Sequence, residues 1–322
     1  MKMQSIISQR NNEDIYWFDL VHEWEDILKD QMGLSFVHQK RILNSKIALK
    51  FHRLFSMLQT NKNALAFEMT TSNLRVNNNK NIIPWIIDFY PSQKTLKDFY
   101  RSYNKNKAIL ISSRQVYQYL LNAKCPLNIW HVALSLSDKY EINKGIQFDK
   151  IYNLVVTGRS NPVLMEYLER YVKENKEFVY VYQKQKDKHQ HYYMSTGEYI
   201  GVFDSREEYI SLLRQSRMAF YSTSGVDGDA RKGTNGFHQV TPKFLEFIAS
   251  GCHVLSRYED NEDTDFYELG VFSMRIDSYE SFKKAVDFNM TNDVDIERYS
   301  DYLAKHYTSV RANQLDEILK QI

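Results

Sequence analysis

Apolar residues along the chain follow two patterns, short continuous runs and longer stretches with helical spacing. Residues 108–112 and 151–156 are continuous runs with the length of buried strands. Each run precedes a stretch with the spacing of an amphipathic helix, at residues 114–121 and 162–174. This order of strand and helix recurs in both halves of the chain. It predicts the α/β fold class with mainly parallel sheets.

Turn-forming residues interrupt this order between residues 135 and 148, where Ser, Asp, Asn and Gly occur together with few long apolar runs. We place a linker here because 322 residues are long for a single domain. The sequence therefore predicts a first domain over residues 1–140 and a second domain over residues 141–305. An amphipathic C-terminal helix follows, over residues 306–322.

Two helix starts in the second half carry local signals. Asn161 has the side chain of an N-cap residue and is followed by Pro162, which suits the first helical position. Ser205 and Glu208 have the spacing of a capping box. The first helix is expected to follow the buried strand over residues 151–156, and the second a short strand-like stretch over residues 199–203.

Residues 39–58 form the most basic predicted helix, with apolar residues on one face and lysine, arginine and histidine on the others. A basic amphipathic helix can lie on an anionic membrane surface. The alternative is a helix that packs on the core and keeps its basic face in solvent. We favour the second interpretation and keep peripheral membrane contact as the alternative.

Composition limits the remaining classes of function. An apolar share of 43% and a charged share of 25% are ordinary for a soluble globular protein, and no run approaches the roughly 20 apolar residues that span a bilayer. A formal charge of +2 gives no general case for nucleic-acid binding, and the 23 tyrosines are scattered along the sequence. Cys125 and Cys252 are interpreted as buried thiols of a cytoplasmic protein, although a disulfide stays open.

The candidate chemistry lies at two strand-to-helix junctions of the second half. Gly158 and Arg159 follow a buried strand, where a backbone without a side chain and a guanidinium suit an anion. A Gly-rich loop over residues 222–237 leads to a second helix start, where Lys243 and Glu246 lie three residues apart. In open α/β sheets, ligands bind at the carboxyl ends of strands. Together these residues predict a diphosphate site with a carboxylate for ribose; the alternative for Lys243 and Glu246 is a surface ion pair.

The second helix start also has capping signals. Thr241 is placed as its N-cap and Pro242 at its first position, with the backbone N–H groups there available to phosphate. Gly251 suits the left-handed residue that ends the helix.

The segment Gln239 to Leu255, with its Lys-x-x-Glu-x-x-Ala-x-Gly pattern and following strand, resembles the donor-site helix of GT-B glycosyltransferases. The similarity is to the group 1, family 4-like branch found in bacterial surface polysaccharide synthesis, and residues 149–161 resemble the first strand and Gly-Arg loop of the second domain in that family. The resemblance implies two Rossmann-like domains with a cleft between them and a C-terminal helix that returns to the first domain. It also implies a nucleotide-diphosphate sugar as donor, a glycan or lipid-linked acceptor, and no metal or other cofactor.

This resemblance assigns Gly158, Arg159, Thr241 and Lys243 to the donor diphosphate and Glu246 to ribose. Pro242, Arg231 and Lys232 are additional candidates for donor contacts.

The sequence departs from the family pattern at one position. Retaining members carry Glu eight residues before the ribose-binding Glu, and this chain has His238 there. His238 and Asp88, which ends a predicted strand of the first domain, are the candidate catalytic residues, Asp88 as a base for an inverting reaction. The stereochemistry stays open. A nucleotide-sugar epimerase of the same fold and a non-catalytic interaction module are the alternative functions.

Overall fold

The computed structural model describes residues 1–8, 10, 19–38, 63–69, 78–186, 189–203, 205–228 and 233–322. The helix predicted over residues 39–58 lies outside these ranges, as do Arg231 and Lys232. The chain divides into two compact units. Unit 1 comprises Met1–Asp138 and His306–Ile322, and unit 2 comprises Lys139–Lys305.

The secondary structure of the described residues alternates between strands and helices. The strands are β1 (Ser5–Ser8), β2 (Ser35–His38), β3 (Ala64–Glu68), β4 (Ile82–Ile86), β5 (Ile109–Ile111), β6 (Ile129–His131), β7 (Tyr152–Val156), β8 (Tyr180–Lys186), β9 (His189–Met194), β10 (Tyr199–Val202), β11 (Ser216–Ser222), β12 (His253–Arg257) and β13 (Met274–Arg275). The helices are α1 (Asp19–Met32), α2 (Gln93–Tyr103), α3 (Arg114–Asn122), α4 (Pro162–Glu174), α5 (Arg206–Arg214), α6 (Lys243–Ala249), α7 (Glu262–Phe266), α8 (Leu269–Phe272), α9 (Tyr279–Thr291), α10 (Ile296–Leu303) and α11 (Thr308–Gln321).

The sheet of unit 1 is parallel throughout its described strands, in the order β2-β1-β3-β4-β5-β6. Every residue of β3 and β4 is buried, as expected for a parallel sheet that is covered on both faces. Trp24 and Leu28 of α1 pack in one core with Phe67, Trp85 and Leu315. This core joins α1, the sheet and the C-terminal helix α11.

The sheet of unit 2 combines a parallel and an antiparallel part. The order of its described strands is β10-β9-β8-β7-β11-β12-β13. The pairs β8–β7, β7–β11, β11–β12 and β12–β13 are parallel. Strand β9 pairs antiparallel with β8 on one side and with β10 on the other. The core under α4 and α9 includes Leu154, Leu164, Phe220 and Phe282.

Two local predictions are wrong in unit 2. The polar residues 184–192 suggest a loop in the sequence, whereas residues 184–186 form the end of β8 and residues 189–192 form most of β9. Their lysine, glutamine and histidine side chains are tolerated in strands because this edge of the sheet is open to solvent. Residues 271–276 read as one strand, but they form the end of α8 and the two-residue strand β13.

The α/β class predicted from the sequence is confirmed in both units. Within the described ranges, no helix is long and apolar enough to cross a membrane.

Candidate functional site

The turn after β7 is where two of the predicted site residues meet. Gly158 has a φ of +66°, a left-handed conformation that favours glycine. A Cβ atom at this position would lie 3.1 Å from Nζ of Lys243. The Lys243 ammonium also donates a hydrogen bond to the carbonyl oxygen of Thr157, which is 86 positions away in the sequence. The missing side chain at Gly158 thus leaves room for a cation at the carboxyl end of β7.

The Lys243 ammonium is held in poorly hydrated surroundings. Burial is the main cause that lowers its pKa from 10.5 to about 8; the charge of Glu246 opposes this shift and the charge of Arg159 adds to it. The side chain is half-buried and its ammonium lies 5.3 Å from the centroid of the Phe247 ring. At neutral pH, a protonated and poorly hydrated ammonium therefore lies beside the turn. Binding of an anion would stabilise this charge.

Glu246 lies one turn further along α6 and is 3% exposed. Nη2 of Arg206 donates to its Oε1 atom. This ion pair supplies the counter-charge that a buried carboxylate needs. Lys243 and Glu246 therefore do not form the simple surface pair that was the alternative interpretation, because each has its own partner group.

Arg206 and Tyr209 of α5 are site residues that the sequence reasoning missed. The Tyr209 hydroxyl lies 3.2 Å from Oγ1 of Thr157, and the Tyr209 pKa is raised well above its ordinary value by burial first and by Glu246 next. The capping box of Ser205 and Glu208 is confirmed and fixes the start of α5. That signal located Arg206 at a helix start, but nothing in the sequence pointed to Glu246 as its partner.

The start of α6 differs from the prediction. Thr241 is not the N-cap: the cap residue is Pro242, whose φ of −55° and ψ of −22° are already helical, and no side chain caps this end. The Thr241 backbone N–H donates instead to the Tyr221 hydroxyl at 2.9 Å. The carbonyl oxygen of Pro242 accepts the first helical bond, from the N–H of Glu246 at 3.0 Å, so the helix begins at Lys243 and proline has no side-chain acceptor to cap it. Gly251 has a φ of +61° after the helix, so its predicted left-handed conformation is confirmed.

Both ring nitrogens of His238 face protein atoms. Nδ1 lies 2.9 Å from the carbonyl oxygen of Ser224, and Nε2 lies 3.2 Å from a carboxylate oxygen of Glu259. The ring is 6% exposed. The geometry gives His238 a role in joining the Gly-rich loop to the residues after β12; a catalytic role stays a prediction.

The two predicted strand-to-helix junctions are connected by hydrogen bonds. Asn161 caps α4 through bonds of 3.0 and 3.1 Å from the N–H groups of Val163 and Leu164, as predicted. Its amide group also donates to Oδ2 of Asp227 at 2.9 Å, in the Gly-rich loop. Arg257 of β12 binds both carboxylate oxygens of the same Asp227. One side chain thereby ties the start of α4 to the loop that leads to α6.

Four further residues were predicted for the site: Arg159, Asp88, Arg231 and Lys232. Arg159 is exposed and its charge acts on Lys243. Asp88 belongs to unit 1, two residues after β4, with a left-handed φ of +53°. Arg231 and Lys232 are not among the described residues. Among those that are described, no group of three or more His, Cys, Asp or Glu side chains is arranged to hold a metal ion.

Comparison with known proteins identifies the fold and not the family. No family model matches the chain, and no curated protein matches it by sequence. A proposed UDP-N-acetylglucosamine 2-epimerase from Listeria monocytogenes is similar in structure, with a TM-score of 0.57, 12% identity, and coverage of 99% of this chain and 96% of that one.

Two further solved structures are similar over nearly their whole length. AviGT4, a glycosyltransferase involved in avilamycin A biosynthesis, has a TM-score of 0.52, 10% identity, and coverage of 98% of this chain and 92% of that chain. UDP-GlcNAc 2-epimerase from Methanocaldococcus jannaschii has a TM-score of 0.51, 11% identity, and full coverage of both chains. Identities this low establish the fold alone. The predicted GT-B class, with two Rossmann-like α/β domains, is confirmed.

Proposed function

We propose that the protein is a glycosyltransferase that moves a sugar from a nucleotide-diphosphate donor to a glycan or lipid-linked acceptor. The observation that carries this proposal is the contact between Lys243 and the Gly158 turn, with the buried Glu246 beside it. A cation and an open backbone turn suit a diphosphate, and a buried carboxylate suits ribose hydroxyls. Synthesis of a cell-surface polysaccharide is the setting that the sequence resemblance supports.

Each residue of the cluster has a distinct proposed role. Lys243 and Arg159 neutralise the charge that develops on the diphosphate as it leaves, and the Gly158 backbone approaches the phosphate closely. Glu246 accepts hydrogen bonds from ribose, while Arg206 holds its carboxylate in place. Thr241 contributes its hydroxyl to phosphate, since its N–H is already bound by Tyr221.

The transfer step breaks the bond between the sugar carbon and the diphosphate oxygen, and forms a bond from that carbon to the acceptor oxygen. The acceptor hydroxyl loses its proton in this step. Asp88 or His238 is the proposed recipient, and the electron pair of the broken bond stays on the diphosphate. Pro242, Arg231 and Lys232 are proposed as further donor contacts, the last two from the sequence alone.

A nucleotide-sugar epimerase is the second candidate. It is favoured by the fold comparison, in which two of the three described neighbours carry the name UDP-N-acetylglucosamine 2-epimerase. An epimerase changes the sugar of its nucleotide substrate without an acceptor, whereas a transferase releases nucleoside diphosphate when an acceptor is present. A third possibility, a non-catalytic interaction module, predicts neither reaction.

Calorimetry with UDP, GDP and related nucleoside diphosphates tests the shared basis of both enzymes. We expect Lys243→Ala to weaken binding by about 10–100-fold, because a hydrogen bond to a charged group contributes about 1.5–3 kcal/mol. Lys283→Ala is the matched control, since Lys283 is an exposed lysine of α9 paired with Asp287. The Lys283→Ala variant should bind nucleoside diphosphates with the affinity of the wild type.

Two outcomes would contradict the proposal. If no nucleoside diphosphate binds, the site assignment is wrong. If nucleotides bind equally to the wild type and to Lys243→Ala, the cluster is not where they bind. Among binding outcomes, conversion of a nucleotide sugar into an isomer without acceptor would identify the epimerase in place of the transferase.

A further inference from the structure

The antiparallel end of the sheet in unit 2 carries aromatic side chains on one face. Strands β8 and β9 pair Tyr182 with Tyr193 and Lys184 with His191, and β10 pairs Tyr199 with Tyr193. Opposed residues in a sheet project to the same face. Tyrosines that are scattered in the sequence are therefore brought side by side by the hairpin.

The rings form a continuous row across the three strands. We call the row the tyrosine face, and its centroid distances are 6.0 Å for Tyr180–Tyr182, 5.8 Å for Tyr182–Tyr193, 5.2 Å for Tyr193–Tyr199 and 5.8 Å for Tyr199–His191. Neighbouring strands are about 4.8 Å apart, so the row extends about 10 Å across the sheet. This is an extended strip and not an isolated aromatic pair.

The tyrosine face is partly exposed: Tyr180 and Tyr182 are half-buried against the core under α4 and α9, and exposure increases towards β10. Tyr199 is 51% exposed. The exposed Lys184 places its ammonium 5.3 Å from the ring centroid of Tyr182 and 5.4 Å from that of Tyr193, and these two rings lie within 23° of parallel. Because the ammonium of a solvent-exposed lysine reaches both rings, a ligand can reach them in the same way.

The tyrosine face begins beside the proposed donor site. Tyr182 is paired with Val156, the last residue of β7, which directly precedes Thr157 and Gly158. Gln183, on the opposite face of β8, donates a hydrogen bond of 3.3 Å to the carbonyl oxygen of Gly158. A molecule lying on the tyrosine face therefore has one end near the turn that is proposed to bind the diphosphate.

The chemistry of the face matches a chain of sugars. Aromatic rings attract the polarised C–H groups of a pyranose through their negative faces. Hydrogen-bonding groups accompany the rings, since Nδ1 of His191 lies 3.1 Å from the Tyr199 hydroxyl. Sugars need both kinds of contact, because each ring has apolar faces and a hydroxyl-lined edge.

The charges near the face do not suit a polyanion. The Lys184 ammonium lies over the rings of Tyr182 and Tyr193. An acid also acts on the face, since burial, Tyr182 and then the charge of Glu169 raise the pKa of Tyr180. Binding of nucleic acid relies on cations that outnumber acids along the contact surface. A hydroxyl-rich chain of low charge has no such requirement.

We infer that the tyrosine face binds a glycan chain, whose acceptor end extends towards the Gly158 turn. The role as acceptor rests on the proposed transferase function, whereas binding of the glycan does not require that function. The face would bind sugars of the acceptor that lie behind the reacting hydroxyl. It would thereby select acceptors that are oligosaccharides over single sugars.

Binding of the full-length protein to an array of defined neutral and acidic oligosaccharides tests this inference, followed by calorimetry without nucleotide using the oligosaccharide bound most tightly. Tyr199→Ala removes the most exposed ring, and we expect affinity to fall by about 2–10-fold. Combining it with Tyr193→Ala should remove binding at the concentrations used. Phe288→Ala is the matched control, because Phe288 is 53% exposed on α9 and outside the tyrosine face.

The outcomes separate this inference from the proposed function. Absence of oligosaccharide binding, or equal binding by wild type and Tyr199→Ala, would overturn the glycan assignment even if UDP or GDP binds. Loss of binding to oligothymidine or to anionic phospholipid vesicles in the variants, with no oligosaccharide bound, would instead assign the face to nucleic acid or membrane. Oligosaccharide binding that depends on Tyr199 in a protein that binds no nucleotide would keep the inference and refute the transferase.

Discussion

At the scale of single residues, the proposed donor site depends on how Lys243 is surrounded. The Gly158 turn gives space to its ammonium, and burial lowers its pKa to about 8. A bound diphosphate would stabilise the protonated form and raise this pKa towards or above its ordinary value of 10.5. Binding then takes up a proton in the interval between these values.

This linkage predicts a pH dependence of nucleotide affinity. Below about pH 8, Lys243 is protonated in both the free and bound protein, so this group leaves affinity constant. As pH rises above about 8, the free protein loses the proton, and affinity should fall by up to about tenfold per pH unit. Calorimetric titrations of UDP from neutral pH to about pH 10 measure the decline.

Lys243→Arg supplies the control for that measurement. The guanidinium stays charged through this range. The nucleotide affinity of Lys243→Arg should therefore not show the decline with pH that Lys243 causes. Any titration of the nucleotide itself affects both proteins equally and cancels in the comparison. Parallel pH profiles for the two proteins would show that Lys243 is not the titrating group.

At the scale of elements, helix starts were predictable and helix partners were not. The range of α4 was predicted to the residue, because Asn161 and Pro162 act locally on the backbone that follows them. The cap of α6 is Pro242, one residue after the predicted Thr241, and the N–H of Thr241 binds the hydroxyl of Tyr221 on a distant strand. A pattern within a few residues cannot show such a bond.

The same limit explains the missed hairpin and the missed site residues. Strands β8 and β9 have lysines, glutamines and histidines where a sequence pattern requires apolar residues, and only their pairing reveals the tyrosine face. Arg206 and Glu246 are separated by 40 positions. Gly158 and Lys243 were assigned to one diphosphate site because both lie at strand-to-helix junctions, and the structure shows the contact between them.

The double role of Asn161 predicts two separable effects. Asn161→Ala should destabilise the protein by about 1–3 kcal/mol, because it removes both the cap of α4 and the bond to Asp227. Asn161→Asp keeps an acceptor for the cap but sets a second carboxylate against Asp227. Urea unfolding followed by circular dichroism measures both variants.

A third variant separates the cap of α4 from the contact with the loop. Asn175→Ala, at the other end of α4, removes one bond of 2.9 Å to the Tyr171 carbonyl oxygen and should cost less than Asn161→Ala. If Asn161→Asp is as stable as the wild type, the bond to Asp227 contributes nothing. If it is as unstable as Asn161→Ala, the loop contact outweighs the cap. Nucleotide affinity should follow the loop contact, since the loop leads to Lys243.

At the scale of the whole chain, unit 1 is built from two separate segments. The chain leaves this unit at Asp138 and re-enters it at His306. Hydrogen bonds to α11 hold the second segment: Arg311 donates to the carbonyl oxygen of Ala133 at 3.1 Å, and Gln314 donates to that of His131 at 2.9 Å. Leu315 of α11 is fully buried in the same core as Trp24 and Leu28. The core of unit 1 therefore includes α11.

Leu315→Ala tests this dependence. The cavity should cost about 2–5 kcal/mol, the range for a buried leucine, and the loss should be confined to the core that Leu315 fills. Amide hydrogen exchange read by mass spectrometry should therefore quicken in α1, β3 and β4. Glu317→Ala, at an exposed position of the same helix, should leave exchange in those elements unchanged. Unchanged exchange in Leu315→Ala would mean that α11 contributes little to the core, and the C-terminal segment would then be an attachment to unit 1 and not part of its structure.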